Sequence, residues 1–129
     1  MTIYTDGASR GNPGESASGY QVFDETGKML QKGEVYNGIT TNNYAEYNAI
    51  INALKWCIAN FNSSSIEIEL HSDSRLVISQ INGLFKIKSE DMLKLNKEVK
   101  ELVKKFKSTK FINERREVEG ISNVDRAIN

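Results

Sequence analysis

The stretch SSSIEIELHSD, residues 63–73, constrains the fold of this chain more than any other segment. Its apolar residues alternate with polar ones, which is the period of a strand that buries one face. These apolar residues are Ile66, Ile68 and Leu70. Asp73 follows at once, and a short helical pattern covers 74–81. A half-buried strand that leads into a helix is typical of an α/β domain, in which sites form at the carboxyl ends of strands.

The remaining segments predict the other elements of such a domain. We expect strands at 1–6, 18–24, 29–36 and 109–114, which are rich in strand-forming residues. The segment DETGK, residues 24–28, is a turn signal that makes the second and third strands a hairpin. Helical periodicity predicts helices at 43–59 and 91–107 and a helical stub at 122–129. Residues 1–129 are therefore predicted to form a single α/β domain with a mixed sheet flanked by helices.

Composition indicates the cellular compartment of the protein and the kind of metal ion that it could bind. The 129 residues suit one domain with one core, and we find no signal-peptide pattern or membrane-length apolar run. One cysteine, Cys57, excludes an intramolecular disulfide and fits a reducing compartment, so we expect a cytoplasmic protein. One histidine and no cysteine cluster argue against zinc. Any metal would be held by oxygen atoms and would be a hard cation.

The net charge is zero but unevenly distributed. From Lys86 to Arg116 there are 11 Lys and Arg against 5 Asp and Glu, and the rest of the chain has 6 against 12. A solvated helix face explains most of these lysines, and a nucleic-acid-binding surface is the alternative explanation.

Four acids are candidates for chemistry, and each has an ordinary structural alternative. Asp6 follows the first strand, where an Asp-Gly turn would also place it. Glu46 fits a capping box with the asparagine three residues earlier, yet it lies at the edge of the buried helical stripe. Asp73 would serve as the N-cap of the next helix. Asp125 resembles an exposed helical acid.

The argument for a functional site therefore depends on the acids taken together rather than on any one of them. If the strands that end at Asp6 and Asp73 are parallel neighbours, their carboxylates meet at one sheet edge, near the helix start at Glu46. Clustered carboxylates repel one another unless a divalent cation lies between them. Oxygen ligands of this kind suit Mg²⁺ or Mn²⁺.

These residues resemble a known family. The segments YTDGASRGNPG, TTNNYAEYNAIINAL, LHSDSRLVISQINGLFKIK and NVDRAIN are similar to the motifs of type 1 ribonuclease H over nearly the whole chain. The resemblance implies a ribonuclease H-like fold with a five-stranded mixed sheet flanked by helices. It also implies endonucleolytic cleavage of the RNA strand of RNA/DNA hybrids with two Mg²⁺ ions, or Mn²⁺.

The family's four acids correspond to Asp6, Glu46, Asp73 and Asp125 of this chain. The resemblance implies that Asp6 bridges both ions and that Glu46 and Asp73 hold the ion on the leaving-group side. It further implies that Asp125 helps to hold the ion that activates the attacking water.

Substrate contacts follow from the same resemblance. It implies that Asn12 contacts the RNA strand, that Asn42 and Asn43 contact bases or sugars, and that Thr41 contacts a DNA phosphate. Helix capping is the alternative for the asparagines that precede the first helix. The residues implied in substrate binding are Gly7, Arg10, Gly11, Asn12, Thr41, Asn42, Asn43, Ser74, Arg75, Arg115 and Arg116.

The chain departs from the family pattern in three places. Ile39 stands where the family often has a basic residue, and the link NGLFKIKSE replaces the basic helical protrusion of many members. Arg115 or Arg116 stands in for the histidine that many members carry before the last acid, or instead pairs with a neighbouring glutamate.

A catalytically weak hybrid- or duplex-binding module and a DNA-cutting nuclease are the competing hypotheses. We expect a monomer with no protein partner and no membrane association.

Overall fold

The computed structural model describes residues 1–114 and shows a five-stranded sheet with helices. The strands are β1 (Thr2–Gly11), β2 (Gly14–Phe23), β3 (Met29–Thr40), β4 (Glu67–Ser72) and β5 (Ser108–Asn113). The helices are α1 (Asn42–Asn60), α2 (Arg75–Ile81) and α3 (Glu90–Val103), with a 3-10 turn at Ser63–Ser65. The predicted stub at 122–129 lies outside the described residues. No helix within residues 1–114 is long and apolar enough to cross a membrane.

The sheet is mixed, as predicted, with the order β3-β2-β1-β4-β5. Strands β1, β2 and β3 form an antiparallel meander, and β4 and β5 add parallel strands on the other side of β1. Strand β1 is therefore central, with an antiparallel neighbour on one side and a parallel neighbour on the other. This arrangement brings Asp6 of β1 next to Asp73, which follows β4.

Helix α1 packs against the sheet and is covered by α3 on its other side. Nine of its residues are buried, far more than one amphipathic stripe would supply: Ala45, Glu46, Tyr47, Ala49, Ile50, Ile51, Ala53, Leu54 and Cys57. Helix α3 buries only Val99 and Leu102 and exposes its lysines, as the sequence predicted for an outer helix. The main core lies between the sheet and these helices.

The predicted end of the first strand was wrong. Asp6 does not end β1, because the strand continues to Gly11 and pairs with β2 through the glycine-rich segment, with Asp6 opposite Gly19. What does end near Asp6 is the pairing with β4, whose last partners are Thr5 and Ser72. The acid therefore lies at the end of the parallel half of β1.

Helix α3 is shorter than predicted for a reason that lies elsewhere in the chain. The backbone N–H of Lys107 donates to the carbonyl of Ile66, so the chain has already joined β4 at this point. Two tight turns after Val103 make the transition, and Phe106 remains buried there. The helical periodicity of the sequence thus extends past Val103, where the helix ends.

Candidate active site

The sheet edge beyond the β1–β4 pairing brings three of the four predicted acids together. Asp6 and Asp73 each follow the last pair of the parallel ladder, Thr5 and Ser72. The first turns of α1 lie over β1 and bring Glu46 to the same place. One carboxylate oxygen from each acid lies within 4.8 Å of the other two. The fourth acid, Asp125, lies outside the described residues.

Glu46 is the buried member of this cluster, with only 9% of its surface exposed. The backbone N–H of Gly7 and the hydroxyl of Ser72 donate hydrogen bonds to its carboxylate. Its Oε2 atom is buried and has no hydrogen-bond partner in the described part of the chain. Burial, followed by the negative charges of Asp6 and Asp73, raises the pKa of Glu46 to about 9.

The helix caps that were the structural alternatives for Glu46 and Asp73 are not formed. The N-cap of α1 is Thr41, whose hydroxyl accepts from the N–H of Tyr44, so Glu46 has no role in a capping box. The N-cap of α2 is Ser74, whose hydroxyl accepts from Val77, so Asp73 does not cap that helix.

The cluster fits a divalent cation. Three carboxylates within such distances repel one another, and a buried carboxylate oxygen without a partner is costly. A hard cation would relieve both costs, and oxygen atoms are its preferred ligands. Asp6, Glu46 and Asp73 are therefore the described residues that can hold such an ion.

The raised pKa of Glu46 predicts an unusual dependence of stability on pH. Between about 4.5 and about 9 the metal-free folded state retains a proton that the unfolded state has released. The contribution of Glu46 to stability is therefore largest below the lower pH and declines as the pH rises through this window. Urea unfolding in EDTA at several pH values should show wild type losing stability relative to Glu46→Gln. Parallel pH profiles for the two proteins would contradict the buried, protonated carboxyl group.

An open cleft of about 540 Å³ leads away from the acids along β1 and the start of α1. Asn42 lies at its far end. A hydrogen bond joins Asn42 to Asn12 in the β1–β2 turn. The side-chain oxygen of Asn12 accepts from the backbone N–H of Asn42, at 3.1 Å. The side-chain oxygen of Asn42 in turn accepts from the backbone N–H and the hydroxyl of Ser9, at 2.9 and 2.8 Å. Because both amide oxygens are engaged, the N–H₂ groups of these asparagines are the parts that can donate to a ligand.

The other predicted substrate residues have varied surroundings. The side chain of Asn43 contacts Met92, and the guanidinium group of Arg75 lies 5.5 Å from the ring centre of Phe85. Arg10 is exposed near the hairpin turn, and Gly11 has a positive φ of 91° that the turn requires. Gly7 packs directly against the backbone of α1. Arg115 and Arg116 lie outside the described residues.

Sequence reasoning missed two polar residues beside the acids. Ser72, which donates to Glu46, was hidden in an alternating strand pattern. Glu114 was considered only as a partner for the following arginines, but its carboxylate lies 3.1 Å from Nδ1 of His71. The His71 ring also stacks on Tyr4 with centres 5.0 Å apart. A small cavity is lined by Glu114, His71 and Asp6, among others.

The fold and the cluster together define a class of protein. It is an α/β domain whose sheet edge carries a carboxylate site for divalent cations beside an open cleft, an arrangement used by metal-dependent nucleases among others.

Comparison with known proteins identifies the family. The RNase H family model matches residues 1–121, and this chain belongs to that family. Ribonuclease HI of Halobacterium salinarum is 39% identical over 103 residues, which cover 80% of this chain and 50% of that protein. A bifunctional protein of Mycobacterium tuberculosis is 32% identical over 112 residues, which cover 86% of this chain and 30% of that protein. The chain thus spans half or less of the length of these curated relatives.

Solved structures agree with the family and with the predicted fold. The crystal structure of RNase H1 from Halobacterium salinarum superposes with a TM-score of 0.84 at 33% identity, covering 98% of this chain and 92% of that one. LC11-RNase H1 in complex with an RNA/DNA hybrid also gives a TM-score of 0.84, at 31% identity, covering 97% of this chain and 91% of that one. The predicted ribonuclease H-like fold is therefore confirmed.

Proposed function

We propose that this protein is an endonuclease that hydrolyses the RNA strand of RNA/DNA hybrids with divalent cations. The observation that carries the proposal is the buried, unpartnered carboxylate oxygen of Glu46 within the triad of acids. A purely binding surface would not require three carboxylates whose oxygens lie within 4.8 Å of one another. Membership of the RNase H family supports the same activity.

The cation is proposed to be Mg²⁺, with Mn²⁺ as an alternative and two ions when substrate is bound. Asp6, Glu46 and Asp73 would hold the metal, and Asp125 is the predicted fourth ligand. Bound divalent cations in such sites supply Lewis-acid stabilisation of charge on the phosphate and an activated water.

The described residues around the acids have positioning roles. The Gly7 N–H and the Ser72 hydroxyl orient the Glu46 carboxylate, so one of its oxygens remains available for a cation. Ser72 also accepts a hydrogen bond from the backbone N–H of Ser74, which fixes the turn that carries Asp73. The acids are thus placed by backbone and hydroxyl contacts from β1 and β4 rather than by flexible side chains.

Asn42 at the far end of the cleft and Asn12, which is bonded to it, suit the minor groove of a hybrid. Their engaged oxygens leave N–H₂ donors, and the minor-groove edges of the bases and the 2′-hydroxyls of RNA offer acceptors. Asn12 and Asn42 belong to different segments that hold each other in place, so their spacing is fixed before substrate binds. The hybrid found with LC11-RNase H1 is consistent with this choice of substrate.

A cleavage assay on matched duplexes tests the proposal. With Mg²⁺ or Mn²⁺ the protein should cut the RNA strand of an RNA/DNA hybrid at internal positions, and EDTA should abolish cleavage. RNA/RNA and DNA/DNA duplexes of the same sequence should remain intact. Hybrid binding without cleavage would favour a binding module on the same fold, and comparable cleavage of DNA/DNA would identify a DNA nuclease. A monomeric state and a cytoplasmic location remain predictions.

A further inference from the structure

The position of Glu46 depends on the position of α1, because a helix carries this acid, whereas Asp6 lies within β1 and Asp73 directly follows β4. The first turn of α1 lies directly over β1 and β2. Gly7 on β1 pairs with Ser18 on β2, and both face the backbone of Ala45, the residue that precedes Glu46. Any shift of this turn would move the Glu46 carboxylate relative to Asp6 and Asp73.

A chain of hydrogen bonds joins this turn to two strands of the sheet. The hydroxyl of Ser18 donates to the carbonyl oxygen of Ala45 at 2.7 Å. The side-chain N–H₂ of Asn37, on β3, donates to the Ser18 hydroxyl at 2.9 Å. The side-chain N–H₂ of Asn48, one turn further along α1, donates to the Asn37 oxygen at 2.6 Å. The Ser18–Asn37–Asn48 network therefore begins and ends on α1 and passes through β2 and β3.

The direction of each bond follows from the chemistry of the groups. Asn37 donates through nitrogen and accepts through oxygen, so the hydroxyl hydrogen of Ser18 is left to point at Ala45. Ser18 is only 1% exposed and Ala45 is fully buried, so solvent has little access to this bond. Truncating Asn37 would leave a buried hydroxyl with an undefined orientation.

We propose that Asn37 is a positioning residue for Glu46, although it lies on the edge strand β3. It orients Ser18, which fastens the first turn of α1 to the sheet and so sets the distance between Glu46 and the other acids. This inference rests on the proposed function, since it assigns Asn37 a part in metal binding and hydrolysis. Small displacements of positioned groups are costly for catalysis, and about 1 Å can lower rates about 100-fold.

The isosteric variant Asn37→Asp tests the inference. A carboxylate at this position would accept the Ser18 hydroxyl hydrogen and withdraw it from Ala45, while still accepting from Asn48. We expect the dissociation constant of the free protein for Mg²⁺ or Mn²⁺, measured by calorimetry, to rise severalfold. We expect kcat on a hybrid to fall about 10- to 100-fold with KM within about twofold. An added negative charge alone would strengthen cation binding, so weaker binding identifies displacement of Glu46.

Two further variants complete the experiment. Ser18→Ala removes the hydroxyl without adding charge and should act in the same direction, which covers the case in which Asn37→Asp fails to fold. Asn60→Asp is the matched control, because this asparagine lies at the far end of α1 and donates to the carbonyl of Trp56. It should leave metal affinity and kcat unchanged.

The outcomes separate this inference from the proposed function. Unchanged metal affinity and unchanged kcat in Asn37→Asp and Ser18→Ala, even with a lower melting temperature, would overturn the inference and leave the nuclease proposal intact. The variants could bind metal more weakly than wild type while the wild type itself fails to cut hybrids. That result would support the positioning role and overturn the nuclease proposal.

Discussion

Replacing Asp73 by asparagine should lower hybrid cleavage by about two orders of magnitude or more and leave the metal-free fold at least as stable. Metal ligands at such sites contribute several kcal/mol to the transition state, and each 1.4 kcal/mol is roughly tenfold in rate. Stability should hold or rise, because the substitution removes a negative charge that lies close to Asp6 in the cluster. Ser74, not Asp73, caps α2, so the substitution removes no cap.

Cleavage at saturating hybrid and thermal unfolding in EDTA measure the two parts of this expectation. Glu101→Gln is a matched acid-to-amide control, since Glu101 is an exposed acid on α3 whose partner is Lys104 at 3.1 Å. Its activity and stability should stay near those of wild type. A clear loss of metal-free stability in Asp73→Asn would mean that Asp73 is mainly structural.

The meeting of Asp6, Glu46 and Asp73 could be predicted because it depends on local patterns and one general rule. Alternation in the segment that became β4 and the apolar start of the chain each gave a strand followed by an acid. Parallel neighbours bring such acids to one edge. The structure has that pairing between β1 and β4, with the acids directly beyond it.

The course of β1 past Asp6 could not be predicted from local composition. Glycine, asparagine and proline in GASRGNPG are typical of turns, yet most of this segment forms an antiparallel ladder with β2. Each residue of the ladder gains its partner from across the hairpin, so tertiary pairing outweighs weak strand propensity. Only Asn12 and Pro13 are left to make the turn.

The surroundings of Glu46 and His71 were misjudged because their partners are distant in sequence. Glu46 has the spacing of a capping box, but Gly7 and Ser72 bind its carboxylate. His71 occupies a polar position in the alternating segment 63–73, yet only 8% of it is exposed. Its cover includes Tyr4 and Glu114, which adjoin it only because β1 and β5 flank β4.

Substituting alanine for Gly7 should disrupt both the fold and the site, because no space exists for a side chain there. A β-carbon at this position would lie 2.4 Å from the carbonyl carbon of Ala45 and 2.5 Å from the amide nitrogen of Glu46. Both are backbone atoms, so no rotation of a side chain relieves the contact. Helix α1 would have to move away from β1 and carry Glu46 with it. We expect a destabilisation of about 3 kcal/mol and loss of nearly all hybrid cleavage.

Gly27→Ala separates this packing effect from the general cost of replacing a glycine. Gly27 has a φ of 87°, and a β-carbon there would meet nothing within 4 Å. Its replacement should therefore cost only conformational strain, about 1 kcal/mol, with cleavage unchanged. Urea unfolding of the metal-free proteins and cleavage per folded molecule compare the two variants directly. If Gly7→Ala resembled Gly27→Ala in both measurements, α1 would not lie as close to β1 as the structure has it. If Gly7→Ala lost stability but retained activity, the helix could shift without moving Glu46, and the dependence of the site on the position of α1 would be refuted.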